Sequence, residues 1–325
     1  MPAAKAAGCE KGMVVTMCGI AGFCNMGEDY TRDYDRWYHT LLSMRNKLAR
    51  RGPDDEGAVL TSKIGLTHTR LSIIDLNRGH QPMTKQKSGA SYTIVYNGEL
   101  YNTAELRETL VNMGFLFKTH TDTEVILTGF MAFGGDFVKE LNGIFSFAIW
   151  DENNQVLHLA RDRFGVKPLF YTMIDGTIIF SSEIKALFQY PGIKPRVDAE
   201  GLCEIFGLGP AKSYGKGVFK DIYEVLAGNI ITFREGGLKE TPYWTLTSAP
   251  HEDTYEATVE KTSFLLYDAV KRQMISDIPI STLLSGGIDS SLVTSICARE
   301  LKKQGKQLRT YSFDFKDNSK HFKSN

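Results

Sequence analysis

The chain has 325 residues, with 38 Lys plus Arg against 38 Asp plus Glu, and is 42% hydrophobic and 23% charged. Those ordinary globular values predict about two domains with sizeable cores, and the neutral balance gives nucleic acid or an anionic membrane no electrostatic footing as a partner. The apolar stretches are short and interrupted, which argues against a transmembrane helix. The five scattered cysteines, Cys9, Cys18, Cys24, Cys203 and Cys297, argue against a disulfide framework or zinc site and for a reducing cytoplasm.

Residues 1–16 are small and polar, without periodicity, and predict a disordered tail. Cys18 to Phe23 is a short apolar run. Tyr34 to Arg50 has helical spacing at Leu41, Leu42, Met44 and Leu48, and Arg51-Gly52-Pro53-Asp54 breaks it. Ile64 to Leu66 and Ser91 to Tyr96 read as strands. Ala104 to Met113 reads as a helix closed by Gly114, and Asp122 to Phe133 as another. Hairpins are predicted for Ile144 to Trp150 with Val156 to Ala160, and for Leu169 to Met173 with Thr177 to Ser181 around Asp175-Gly176. A third runs from Gly228 to Arg234 and turns at Gly236-Gly237. The polar stretch at 241–253 reads as a linker between a domain at 17–240 and a second at 254–325. Beyond it come a helix from Thr254 to Gln273, a strand from Pro279 to Leu284 and a Gly-rich turn from Ser285 to Asp289. A helix from Ser290 to Lys303 and a strand from Leu308 to Phe315 follow. One strand–helix–strand unit opens a parallel sheet that it cannot cover, so the second domain is expected to be incomplete.

Met17-Cys18-Gly19 suggests one chemical site. With Met17 removed, Cys18 would carry a free α-amine able to act as the base for its own thiol. Asn97 and Gly98 could donate to an oxyanion, Arg70 could grip a carboxylate in a bidentate fork, and Glu99 with Asp122 could hold an ammonium group. Taken singly, each has a plainer reading: a buried structural cysteine, an Asn-Gly hairpin turn, a surface arginine, a solvated glutamate, a helix N-terminal aspartate. Ser285-Gly286-Gly287-Ile288-Asp289-Ser290, between a strand and a helix, reads as an anion nest with two hydroxyl donors, Asp289 being placed to help hold Mg²⁺ on a pyrophosphate. Its plainer reading is an ordinary Gly-rich turn.

Together, MCGIAGF, RRGPDDEG, HTRLSIID, YNGELYN and HTDTEVI, in that order, resemble the class II glutamine amidotransferases. ELNGIFSFAIWD, ARDRFGVKPLFY and SSEIKAL resemble their asparagine synthetase branch. The resemblance spans Met17 to Phe315. It implies an α+β αββα sandwich of the N-terminal nucleophile type, followed by the start of an α/β PP-loop domain (adenine nucleotide α-hydrolase-like). It also implies that Cys18 is the nucleophile and that Asn97 and Gly98 form the oxyanion hole. Arg70 contacts the glutamine α-carboxylate, with backbone contacts near Leu71 and Ile73, and Gly98, Glu99 and Asp122 contact its amino group. The loop resembles the PP-loop of enzymes that split ATP into AMP and pyrophosphate, so Leu284, Ser285, Gly286, Gly287, Asp289, Ser290 and Phe315 are the implied ATP contacts.

The implied reaction takes aspartate, ATP and glutamine to asparagine, AMP, pyrophosphate and glutamate. ATP with Mg²⁺ serves as co-substrate, no organic cofactor is tightly bound, and homodimers are expected by analogy alone. One departure from the family pattern is the stretch before Cys18. The expectation is that the true start is Met17, with removal of a pro-segment as the rival. Two other readings are kept: a paralogue amidating another carboxylate, and an inactive or glutaminase-only fragment. The phosphoribosyl- and glucosamine-forming amidotransferases lack the PP-loop. β-Lactam synthetases keep it, but Cys18 and the intact glutamine pocket argue against one.

Overall fold

The computed structural model of the chain describes residues 17–76, 78–87, 89–209 and 211–313. The described residues form two compact units, divided between Thr245 and Leu246. The stretch at 1–16 and Phe315 lie outside the described residues.

In the first unit the strands are β1 (Gly19–Cys24), β2 (Asp55–Leu60), β3 (Ile64–Arg70), β4 (Met83–Lys87), β5 (Ala90–Leu100), β6 (Gly143–Asp151), β7 (Val156–Arg161), β8 (Phe170–Ile174), β9 (Thr177–Ser181), β10 (Tyr223–Glu224), β11 (Asn229–Arg234) and β12 (Gly237–Pro242). Its α-helices are α1 (Tyr34–Leu48), α2 (Thr103–Asn112), α3 (Asp122–Phe133), α4 (Ile184–Leu187) and α5 (Ala199–Leu208). The strands form two 6-stranded sheets, ordered β10-β8-β9-β1-β3-β2 and β12-β11-β7-β6-β5-β4, with antiparallel neighbours throughout.

Strand alternation sorts the side chains into layers. Ala21 and Phe23 of β1 pack on Leu41, Met44 and Leu48 of α1. Ile20 and Cys24, from the opposite face of β1, pack on Val95, Ala148 and Leu159 of the second sheet. Ile94, Tyr96 and Leu100 of β5 pack on Val125, Ile126 and Phe130 of α3. The layer order is therefore helix, sheet, sheet, helix. Each fully buried Leu, Ile or Phe in these layers contributes roughly 1.5–3 kcal/mol.

Local chemistry sets the boundaries. The Thr121 hydroxyl caps α3 by accepting from the Glu124 N–H at 3.3 Å. The β8–β9 turn uses Asp175 at φ 47° and Gly176 at φ 75°, the paired left-handed conformations of a tight hairpin. At Asn97-Gly98 the structure differs from the turn reading. Both residues continue β5, opposite Ser146 and Phe145 of β6, and neither has positive φ. Close strand approach explains the glycine, because a Cβ on Gly98 would lie 2.4 Å from the Ile144 carbonyl oxygen. Strands β2 and β4 and helix α5 have no counterpart in the sequence reading. Thr241 and Pro242 close β12 instead of opening a linker, whereas 246–253 are exposed and outside helix or strand.

The second unit contains α6 (Tyr255–Arg272), β13 (Ser281–Leu283), α7 (Ile288–Lys303) and β14 (Arg309–Tyr311). β13 and β14 pair in parallel, with Ser281 opposite Arg309, and α7 is the crossover between them. The helix begins at Ile288, two residues before the predicted Ser290, because Gly287 in extended conformation serves as its N-cap.

Candidate active site

Cys18 immediately precedes β1, at the edge of a cavity of about 90 Å³. Its thiol donates to the Leu71 carbonyl at 3.6 Å, and its sulfur accepts from the Leu71 N–H at 3.4 Å. Its own carbonyl accepts from Arg51 Nε at 2.9 Å, and Arg51 is fixed in turn by a 3.1 Å ion pair to Glu183. Burial pushes the thiol pKa up, and the Leu71 N–H draws it back toward the ionised form.

Two donors belong to residues that line the same cavity. Asn97 is 1% exposed, and its Nδ2 is buried without a partner among the described residues. An orphaned buried amide donor is costly unless something occupies it. The second donor follows from strand phase. The Tyr96 N–H reaches Gln81 Oε1 at 2.7 Å and the Leu100 N–H reaches Asp122 Oδ2 at 3.1 Å, both away from β6. Gly98 lies between them in the same phase, opposite Phe145, whose N–H and C=O both turn to Asp162. The Gly98 N–H therefore points to the side where Gln81 and Asp122 line the cavity.

Glu99 and Asp122 line the same cavity. Asp122 accepts from the Tyr96 hydroxyl at 2.8 Å, the Leu100 N–H at 3.1 Å and the Thr123 N–H at 2.8 Å. Burial raises both carboxyl pKa values, and the two repel each other electrostatically; Lys167 opposes the rise at Glu99. Two acids in this state favour a bound cation between them.

Arg70 is buried rather than at the surface. Its Nη2 donates to the Ile74 and Asp75 carbonyls, each at 2.9 Å, and its Nη1 to Leu76 at 3.3 Å. Those bonds take up much of the fork that the sequence reading gave to a substrate carboxylate. They also hold the loop carrying Leu71 and Ile73, so the structure brings Cys18, Arg70, Leu71, Ile73, Asn97, Gly98, Glu99 and Asp122 around one cavity. Sequence reasoning missed Gln81 and Lys167. Gln81 bridges the Tyr96 N–H and the Thr123 hydroxyl, the latter at 3.3 Å. Lys167 lies inside the ARDRFGVKPLFY motif, but nothing in the motif says where its side chain points.

In the second unit the segment from Ser285 to Ser290 runs from the loop after β13 into the first turn of α7. The Ser285 and Ser290 hydroxyls lie 3.0 Å apart, the Ser290 hydroxyl donates to the Gly287 carbonyl at 3.1 Å, and Gly286 has φ 87°. The Leu284 N–H bonds the Tyr311 carbonyl at 2.8 Å, placing Leu284 at the strand end. Hydroxyls and a helix N-terminus together suit a phosphate, and Asp289 lies in the first turn of α7. Among the described residues, no group of three or more His, Cys, Asp or Glu side chains could hold a metal ion. No helix among them is long and apolar enough to cross a membrane.

Residues 17–244 match the family described as "Glutamine amidotransferase domain" and residues 261–323 match "Asparagine synthase". "Asparagine synthetase [glutamine-hydrolyzing] 3" of Bacillus subtilis is 44% identical over 95% of this chain and 50% of its own length. "Amidase chyE" of Penicillium rubens is 34% identical over 94% of this chain and 46% of its own length. The chain thus spans about half the length of these relatives. A solved glutamine phosphoribosylpyrophosphate amidotransferase from B. subtilis, complexed with ADP and GMP, aligns at TM-score 0.48 and 17% identity, covering 91% of this chain and 65% of its own.

Proposed function

The chain belongs to the glutamine amidotransferase domain family, and on that premise we propose that its first unit releases ammonia from the side-chain amide of glutamine with Cys18 as nucleophile. The observation that carries this is the orphaned Asn97 Nδ2, with the Gly98 N–H and the Cys18 thiol in one cavity. Freed of the residues before it, Cys18 has an α-amine of ordinary pKa about 8, which takes the thiol proton. The sulfur forms a bond to the amide carbon, and the oxygen, now negative, accepts from Asn97 and Gly98. The carbon–nitrogen bond breaks, and ammonia leaves with a proton returned by the amine. Water then cleaves the thioester to give glutamate and the free thiol. Glu99 and Asp122 hold the substrate ammonium, and Arg70, with the Leu71–Ile73 backbone, faces its carboxylate.

The second unit is proposed as the opening of an ATP site, with Leu284, Ser285, Gly286, Gly287, Asp289, Ser290 and Phe315 toward the nucleotide and Asp289 toward Mg²⁺. A carboxylate acceptor takes the AMP group of ATP with loss of pyrophosphate, and ammonia then displaces AMP as the carbon–nitrogen bond forms. Aspartate is the proposed acceptor, since several relatives carry the asparagine synthetase name. A different carboxylate is the second reading, since the matched relatives do not all carry the asparagine synthetase name and one is named an amidase. The cytoplasm is the proposed compartment.

The test is ammonia release from glutamine by a form starting at Met17, beside the full chain and Cys18→Ala. Activity only in the Met17 form supports an N-terminal cysteine nucleophile. A folded but inactive Met17 form counts against the reading.

A further inference from the structure

Lys167 is 8% exposed and lines the cavity with Cys18 and Glu99. Its backbone is held from both sides. The buried Asp162 carboxylate accepts the Lys167 N–H at 3.0 Å, along with the N–H groups of Phe145, Phe164 and Val166. Arg161 Nε donates to the Lys167 carbonyl at 2.8 Å. A loop fixed so firmly presents its side chain in one direction. Yet the ammonium makes no ion pair among the described residues; its one polar contact is the Met17 sulfur at 3.2 Å, a weak acceptor. A buried lysine is rarely left so poorly matched.

The charge count of the cavity wall gives that ammonium a use. Glu99 and Asp122 bring at most two negative charges, because burial holds both carboxyls above the usual carboxylate range, and Arg70 brings one positive charge directed largely at loop carbonyls. In the full chain, where Cys18 has no α-amine to take its proton, a thiolate would add a further negative charge, and a zwitterionic glutamine adds none. We propose that Lys167 is the second cation of the glutaminase pocket, balancing Glu99 and the Cys18 sulfur so that the pocket can carry a thiolate beside a bound amino acid. It is a positioning residue acting through charge, and the assignment rests on Cys18 being the nucleophile of this pocket. The groups that face Lys167 are Glu99 from β5, Cys18 from the start of β1, Arg51 from the turn after α1 and Asp162 from its own loop. Burial draws the Lys167 pKa down, while Glu99 and Cys18 draw it up.

The experiment follows iodoacetamide alkylation of Cys18 against pH in the full 325-residue chain, located by peptide mass, with exposed Cys203 as internal reference. Lys167→Met and Lys167→Gln should move the Cys18 profile up by about one pH unit, which is roughly ten-fold slower alkylation near neutrality, while Lys167→Arg keeps the parent profile. A parent-like profile in a folded Lys167→Met or Lys167→Gln chain overturns the proposal. So does a parent in which Cys18 is never alkylated, or failure of both neutral variants to fold, since the proposal assigns Lys167 a charge rather than a packing role. Ammonia release is read separately from the form starting at Met17. Release with an unshifted profile sinks the Lys167 assignment alone. A shifted profile with no release keeps the charge pairing and removes the glutaminase reading that it serves.

Discussion

At the scale of single residues, the site depends on buried polar atoms held by specific partners. Asn97→Ala removes the proposed oxyanion donor without touching the thiol, and kcat for ammonia release should fall by about 10²–10³, with KM changing far less. A parallel rise in KM would instead mean that Asn97 binds the ground state. His68 is a structural counterpart. From β3 its Nε2–H donates to the Tyr96 carbonyl of β5 at 3.0 Å, tying the two sheets together next to Asn97. Burial holds its pKa at about 3 against an ordinary 6.5. The unfolded chain therefore takes up this proton first as pH falls. Stability is fully present above about 6.5 and is lost on acidification from there toward about 3. Urea unfolding at about pH 7 and about pH 5.5 should show the loss, with a slope approaching 1.4 kcal/mol per pH unit for one proton. His68→Phe should flatten that slope while lowering stability at both pH values. An unchanged slope would show that other groups set it.

At the scale of elements, β5 is the strand on which the site is built, and its long pairing with β6 is what keeps Asn97, Gly98 and Glu99 in phase. Gly98→Ala would place a methyl 2.4 Å from the Ile144 carbonyl oxygen and 2.8 Å from Phe145 Cα. Because the obstacle is backbone, the strands must part, at a cost of about 1–3 kcal/mol. The expected result is a lower Tm together with loss of ammonia release. A stable, fully active variant would show that β5 can shift without disturbing the donors. In the loop after β3, Gly79 closes on Arg70, since a Cβ there would meet its Nη2 at 2.1 Å. Arg70→Lys keeps the charge but cannot bond three carbonyls in one plane. Weaker glutamine binding and faster amide exchange across 71–76 should accompany each other, because one side chain serves both.

At the scale of the whole molecule, the exposed stretch at 246–253 lies outside helix and strand, between Thr245 and α6. Limited digestion with a protease that cuts after glutamate should cleave at Glu252 before sites inside the sheets. If the first unit carries the glutaminase site by itself, the digested Met17 form should keep its ammonia release. Loss of activity on the same time course as cleavage would mean that residues beyond 245 order the site.

How much of this was legible in the sequence differs by element and has physical causes. The 3.6-residue spacing of Leu41, Met44 and Leu48 marks the buried face of α1, and Asp175-Gly176 marks a turn, because both signals are local. Cys18, Arg70, Asn97, Glu99 and Asp122 were singled out by residue type and motif order, while the plainer reading of each stayed open. The sequence alone could not show that Asn97-Gly98 continues a strand, since that depends on β6, more than forty residues away and backed by its own glycine at 143. Nor could it place Gln81 and Lys167 in the cavity, which pairing among distant strands and the Asp162 bonds decide. Residue chemistry and local periodicity were the sequence's to determine. Which donors end up unpartnered and which charges face each other was settled only when the two sheets packed, because burial and strand phase are properties of the assembled layers.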